Sequence, residues 1–294
     1  MKTVADSIRE RVDALRGLLR EFLLEHSGGL RDLNRRDSEI FIVGPSRAWA
    51  DLDQDGRRLQ SRLLEENRRL SALIRALLKH APADSRKGLE SAQKTLWELV
   101  DQSHLTWVKT TEQAFAEAEE ALDKQLELIA NMFDPAGGAV IYVPDTNALL
   151  WNPDLEHWRF GDERFTLVIT ATVLGELDRL KIEHRNPKVR EKAEGIIRRL
   201  KSYRGRGDLG TGVPLVTNIS TIKTIAVDPK MDDSLPWLDQ NNDDDRILAS
   251  FVEVMREHVR TDVLLVTRDI NLQNKAEYAG LPFAEPPDPS PAAD

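Results

Sequence analysis

The run AVIYVPDTNALL, residues 139–150, decides the reading of this chain. Its first five residues are apolar, which suits a strand buried on both faces. Asp145 follows, where a carboxylate has no packing role. In an open α/β sheet such a position lies at the carboxyl edge of the strands, where ligands bind. Three later segments place an acid just after a β-like run or at the start of a helix. They are TATVLGELDRLK at 170–181 with Glu176, NNDDDRILAS at 241–250 with Asp243, Asp244 and Asp245, and DVLLVTRDINL at 262–272 with Asp269.

Carboxylates brought together repel one another at neutral pH, and a hard divalent cation held by oxygen ligands is the usual remedy. Such a cup filled with Mg²⁺ or Mn²⁺ can activate water against a phosphodiester. Each acid also has an ordinary explanation. Asp145 can cap a helix beginning near Asn147. Glu176 can be an exposed helical Glu. The trio opens a helix, where the dipole favours carboxylates, and Asp269 can be a turn residue. Asp178 points to a different helix face from Glu176 and is expected to be solvated or paired with Lys181.

The segments VIYVPDTNALL, VLGELDRLK, NDDDRILAS and LLVTRDINLQNKA, in that order, resemble the PIN domain, a family of metal-dependent nucleases acting mainly on RNA. The resemblance covers the C-terminal half. It implies an α/β fold with a mainly parallel sheet flanked by helices, one or two Mg²⁺ or Mn²⁺ ions, and endonuclease activity leaving 5′-phosphate and 3′-hydroxyl ends. It also implies that Asp145, Glu176, Asp269 and either Asp244 or Asp245 are the metal-binding, catalytic acids. Of the trio, Asp244 is placed first, Asp245 beside it at the metal, and Asp243 last. Asn147, Thr267 and Asn271 match small polar positions of the family's motifs and would support the acids.

The chain of 294 residues carries a net charge of −9, so bulk charge gives no nucleic-acid signature. Between Arg179 and Arg206, however, 11 basic residues face 3 acidic ones. Lys181, Arg185, Lys188, Arg198, Arg199 and Lys201 are therefore candidates to hold phosphates without reading sequence, against the plainer reading of a solvated helix face. Trp151 and Trp158 are candidates either for stacking on unpaired bases or for packing.

Residues 1–135 read as an all-α domain of long helices, at about 4–25, 46–80 and 85–133, forming a bundle or coiled-coil hairpin. A short strand or packed turn is expected at 40–43. The segment DPAGG at 134–138 marks the boundary, the α/β domain runs from 139 to 284, and 285–294 is expected to be a disordered tail. Four roles stay open for the helices: oligomerisation, a protein partner, substrate recognition, or covering the site. No Cys is present, which excludes disulfides and thiolate chemistry and fits a cytoplasmic protein. No apolar run is long enough to span a membrane, and the N-terminus has no secretory pattern.

The expected function is hydrolysis of single-stranded RNA at a carboxylate-bound Mg²⁺ or Mn²⁺. Alternatives are a DNA-structure nuclease using the same acids and a non-catalytic RNA-binding or assembly module. An aspartyl-nucleophile phosphatase is disfavoured, because Asn147 stands where its second acid belongs.

Overall fold

The computed structural model describes residues 3–34, 42–133, 139–161 and 164–289. The chain forms two compact units, one of Ile8–Asn131 and one of Met132–Asp294 with Met1–Ser7. The boundary expected at 134–138 lies outside the described residues.

The first helix, α1 (Val4–Glu21), buries Ile8, Val12, Leu15 and Leu19 along one stripe. Thr3 and Asp6 cap its start reciprocally: Asp6 N–H donates to Thr3 Oγ1 at 3.1 Å and Thr3 N–H to Asp6 Oδ2 at 3.1 Å. A π turn at Phe22–His26 leads to Gly28 and Gly29, whose positive φ values of 64° and 87° end the helix. The next elements correct the all-α expectation. Leu30–Asp32 (β1) and Arg47–Trp49 (β2) pair antiparallel. Helix α2 (Gln54–Leu77) therefore begins later than expected, at the point where Asp53 Oδ1 accepts Gly56 N–H at 2.6 Å. Of the strand or turn expected at 40–43, Ile40 and Phe41 lie outside the described residues.

The third expected helix is two helices, α3 (Ala83–Asp101) and α4 (Thr111–Met132). Gln102 adopts a left-handed φ of 55°, and Thr110 Oγ1 caps the restart by accepting Gln113 N–H at 3.2 Å. Trp107 lies in this break and is 69% exposed. Helices α2, α3 and α4 meet around buried amides: Gln93 Nε2 donates to Ser71 O and to Gln125 Oε1, each at 3.4 Å. Arg16 of α1 reaches Asp123 of α4 at 2.5 Å.

Among the described residues of the other unit, six strands form one sheet. They are β3 (Val140–Pro144), β4 (Phe165–Ile169), β5 (Val213–Val216), β6 (Ser220–Thr224), β7 (Val263–Val266) and β8 (Phe283–Ala284). Their order is β5-β6-β4-β3-β7-β8. All neighbours run parallel except β5 against β6. Helices α5 (Thr146–Trp151), α6 (Ala171–Glu183), α7 (Pro187–Tyr203), α8 (Asp243–Glu257) and α9 (Ile270–Ala279) connect them. Every residue of β3 and β7 is buried, as their unbroken apolar runs require. From β3 the chain moves outward to β4 and β6, then returns to lay β7 on the other side of β3. The carboxyl ends of β3 and β7 thus lie side by side where the strand order reverses.

The tail departs from the expectation of disorder over its first residues. Pro286 is buried, and Asn152 Nδ2 donates to Pro287 O at 3.1 Å and Asp288 O at 3.3 Å. Residues 290–294 lie outside the described residues. No helix among the described residues is long and apolar enough to cross a membrane.

Candidate active site

Pro144 ends β3 without a backbone donor, and the next residue resumes the ladder, with Asp145 N–H donating to Val266 O at 2.9 Å. The Asp145 side chain turns to cap α5, Oδ1 accepting Ala148 N–H at 2.6 Å, and Oδ2 accepts the hydroxyl of Thr267. Asp145 is 2% exposed. Burial pushes its pKa up to about 7, against the pull of these two bonds, and the nearby charges of Asp269 and Glu176 push the same way.

Thr267, just past β7, also accepts Asp269 N–H at 2.9 Å through the same hydroxyl oxygen. Asp269 caps α9, its Oδ1 accepting Asn271 N–H at 2.8 Å. Its Oδ2 accepts Asn147 Nδ2 at 3.2 Å. The acids after two adjacent strands are thereby joined by Thr267 on the buried side and Asn147 on the exposed side. Asn271 contributes its backbone N–H.

Glu176 sits on α6, which follows β4 on the other side of β3. Its Oε2 accepts Thr146 Oγ1 at 2.5 Å. Burial raises its pKa, the Thr146 bond opposes this, and the charges of Asp243 and Asp244 add to the rise. Asp178 turns away and pairs with Lys181.

The trio on α8 divides. Asn242, not an Asp, is the N-cap. Asp243 pairs with Arg179 and with Arg246, the latter at 3.3 Å. Asp244 Oδ2 lies 3.5 Å from Lys275 Nζ. Asp245 is buried; Oδ1 takes Lys275 Nζ at 2.7 Å, and Oδ2 accepts Asp239 N–H at 2.9 Å. Burial works against the charge of Lys275, but the bond to Asp245 and the charges of both acids leave its pKa raised. Asp244 and Asp243 are thus the members whose charge reaches Glu176, while Asp245 holds the α8 entry loop.

The order Asp269, Asp145, Glu176, Asp243/Asp244 is a continuous line of mutually repelling acids. Its donors are all oxygens, which suits Mg²⁺ or Mn²⁺ and not a soft metal. In their present orientation the acids are turned to protein donors, and among the described residues no three Asp, Glu or His side chains form one ion-holding group.

Three partners of the acids are not legible in the sequence. Thr146 binds Glu176, and Arg179 and Lys275 supply the cations facing the trio. Their residue types alone carry no signal for this, since pairing depends on how α6, α8 and α9 converge.

The basic candidates separate as well. Lys181 is held by Asp178, Arg198 by Glu194 at 3.0 Å, and Arg199 by Asp154 at 2.8 Å and Pro153 O at 3.0 Å. Arg185, Lys188 and Lys201 are exposed and form no ion pair among the described residues. Trp158 is fully buried, donating its indole N–H to Asn152 O at 3.0 Å, whereas Trp151 is 39% exposed.

A protein-family model described as PIN domain matches residues 142–285, from within β3 to just past β8. Comparison with curated proteins gives no match.

Proposed function

The C-terminal half of this chain belongs to the PIN domain family, and on that premise we propose that the protein is a metal-dependent endoribonuclease acting on single-stranded RNA. The observation that carries this reading is the joining of Asp145, Asp269 and Glu176 through Thr267, Asn147 and Thr146 at one sheet edge. Three acids from separate connections are held together against their own repulsion. Such an arrangement lowers stability unless positive charge is bound there.

In this reading Asp145, Glu176, Asp269 and Asp244 hold Mg²⁺ or Mn²⁺, with Asp245 beside them. When bound, the ion supplies Lewis acidity toward water and the scissile phosphate. The chain's own residues do the positioning. Thr267 and Ala148 N–H fix the Asp145 carboxylate, and Asn147 fixes Asp269. Thr146 keeps Glu176 turned toward the sheet edge. No side-chain nucleophile is needed. The exposed Arg185, Lys188 and Lys201 meet backbone phosphates, which makes binding insensitive to sequence.

The test is cleavage of a labelled single-stranded RNA by the full chain with Mn²⁺, beside single-stranded DNA and a DNA flap. Cleavage of RNA that is abolished by chelator and by Asp145→Asn supports the proposal. Cleavage of the flap alone would move the substrate to DNA. A wild type that cuts none of the three would leave a binding or assembly module.

A further inference from the structure

Trp151 and Arg268 form a cation–π pair that the catalytic scheme does not use. The Arg268 guanidinium carbon lies 3.6 Å from the centre of the Trp151 ring, the separation of a full stack. Both are on the surface: Trp151 is 39% exposed and the Arg268 side chain 37%. A stacked Arg and Trp at a surface offer a planar, polarisable face together with guanidinium N–H donors; the Arg268 Nε faces Glu285 Oε2 at 3.9 Å, and the terminal nitrogens carry the other donors.

The position of the pair in the chain is what gives it meaning. Arg268 lies between Thr267 and Asp269, two residues of the acid line. Trp151 ends α5, the six-residue helix capped by Asp145, and so stands about 9 Å along the helix from that cap. Beside it, Lys192 of α7 donates to Leu150 O at 3.1 Å, and Arg199 to Pro153 O at 3.0 Å. The basic helix is therefore fastened to the segment that carries Trp151. The stack is thus joined to the acids through Arg268, the neighbour of Asp269 in the chain, and to α7 through the segment that Lys192 and Arg199 hold. The partner that complements all three is a chain carrying a phosphate and a flat base at each step.

We propose that Trp151 and Arg268 form a stacking platform for an unpaired nucleobase, on a path from the acid line to α7, so that the protein selects strands whose bases are free. The proposal rests on the nuclease reading and names the substrate feature it requires. The base extends the Trp151–Arg268 stack, and the neighbouring phosphate takes the guanidinium edge. A paired base has its faces covered by its neighbours and cannot do this, so duplex is excluded. Base–aromatic stacking is tolerant of base identity, and no sequence preference is expected.

The experiment measures binding by the full chain carrying Asp145→Asn, in Mn²⁺, to two probes. One is a single-stranded RNA dodecamer of mixed sequence; the other is the same backbone with its bases removed. Each is titrated against the parent and against Trp151→Leu and Trp151→Phe versions. Leu keeps apolar bulk and Phe keeps an aromatic face, so a role in packing alone is met by either. The platform predicts that Trp151→Leu weakens the base-bearing probe about tenfold, within the range of one missing stack. The abasic probe should change less than twofold, and Trp151→Phe should restore most of the loss. Arg268→Gln should weaken both probes, since it removes a phosphate partner as well. Equal effects of Trp151→Leu on both probes, or none on either, would overturn the platform. Absence of binding to either probe by the parent would overturn it too. Wild-type cleavage of the same RNA tells the two ideas apart: cleavage with no Trp151 effect sinks the platform and leaves the nuclease standing, whereas no cleavage removes the nuclease reading itself.

Discussion

Thr267 donates its hydroxyl to Asp145, a residue 122 positions earlier, and with the same oxygen accepts the backbone N–H of Asp269. One small side chain therefore fixes the carboxylate after β3 and the turn that presents the next acid. Replacing it should separate stability from geometry. Thr267→Val leaves a buried Asp145 oxygen without its donor, and should cost about 1–3 kcal/mol in urea unfolding at pH 8. Thr267→Ser should recover most of that. A Val variant as stable as wild type would mean that the bond contributes nothing in solution.

The raised pKa of Asp145 predicts a pH dependence with a definite sign. Its folded value of about 7 lies above the ordinary 3.8. Between those values the folded state holds a proton that the unfolded state has released, so stability falls as pH rises through the window. The gap corresponds to an upper bound on the order of 4 kcal/mol, and Glu176 adds in the same direction. In chelator, Asp145→Asn should therefore be more stable than wild type at pH 8 and nearly equal at pH 4. Parallel stability curves for the two proteins would contradict the burial of this charge.

Divalent cations should reverse that penalty. Mn²⁺ or Mg²⁺ that binds the folded state alone raises the midpoint of thermal unfolding as its concentration exceeds Kd. The gain should be large in wild type and blunted by Asp145→Asn or Asp269→Asn, while Asp178→Asn should behave as wild type. An equal gain in all four proteins would remove Asp145 and Asp269 from the ion's surroundings.

Gln102 offers a test in the helical unit. It holds a left-handed φ of 55°, and both polar atoms of its amide are buried without a partner among the described residues. Gln102→Gly removes the strain of the conformation and the unsatisfied amide together, and should stabilise the chain by about 1 kcal/mol. Loss of stability in calorimetry would show that the amide has a partner in solution.

The basic helix gives a prediction in salt. Neutralising Arg185, Lys188 and Lys201 together should flatten the slope of log affinity for single-stranded RNA against log salt, by about 0.7 for each phosphate that no longer meets a cation. Arg198 and Arg199, tied to Glu194 and Asp154, should matter less. An unchanged slope for the first set would make these three side chains solvated surface cations.

Much of the α/β half was legible because its signals are local. Unbroken apolar runs at β3 and β7 and acids at their ends follow from a few residues each. The helical half was harder where long-range pairing overrode a local pattern. Arg47–Trp49 reads as the start of a helix, and only its partner strand Leu30–Asp32 makes it a strand. The single helix expected at 85–133 has a break at Gln102–Thr110, because a non-glycine in a left-handed turn leaves little mark on composition. At the site, Asn147 and Thr267 could be named beside the acids, whereas the cations Arg179 and Lys275 could not. Lys275 meets Asp245 across 30 residues, and no spacing rule encodes that convergence.

The lateral position of β7 has a consequence for how the chain comes into being. β3 is flanked by β4, which follows it closely, and by β7, which lies some 120 residues on. A growing chain halted before residue 263 holds Asp145, Glu176 and Asp244, yet lacks the strand that covers one edge of β3 and the hydroxyl that Asp145 binds. Asp145 and Glu176 can still meet across β3 and β4, but Thr267 and Asp269 are missing. Interrupted synthesis thus yields fragments with an open, apolar strand edge beside β3 and an incomplete row of acids.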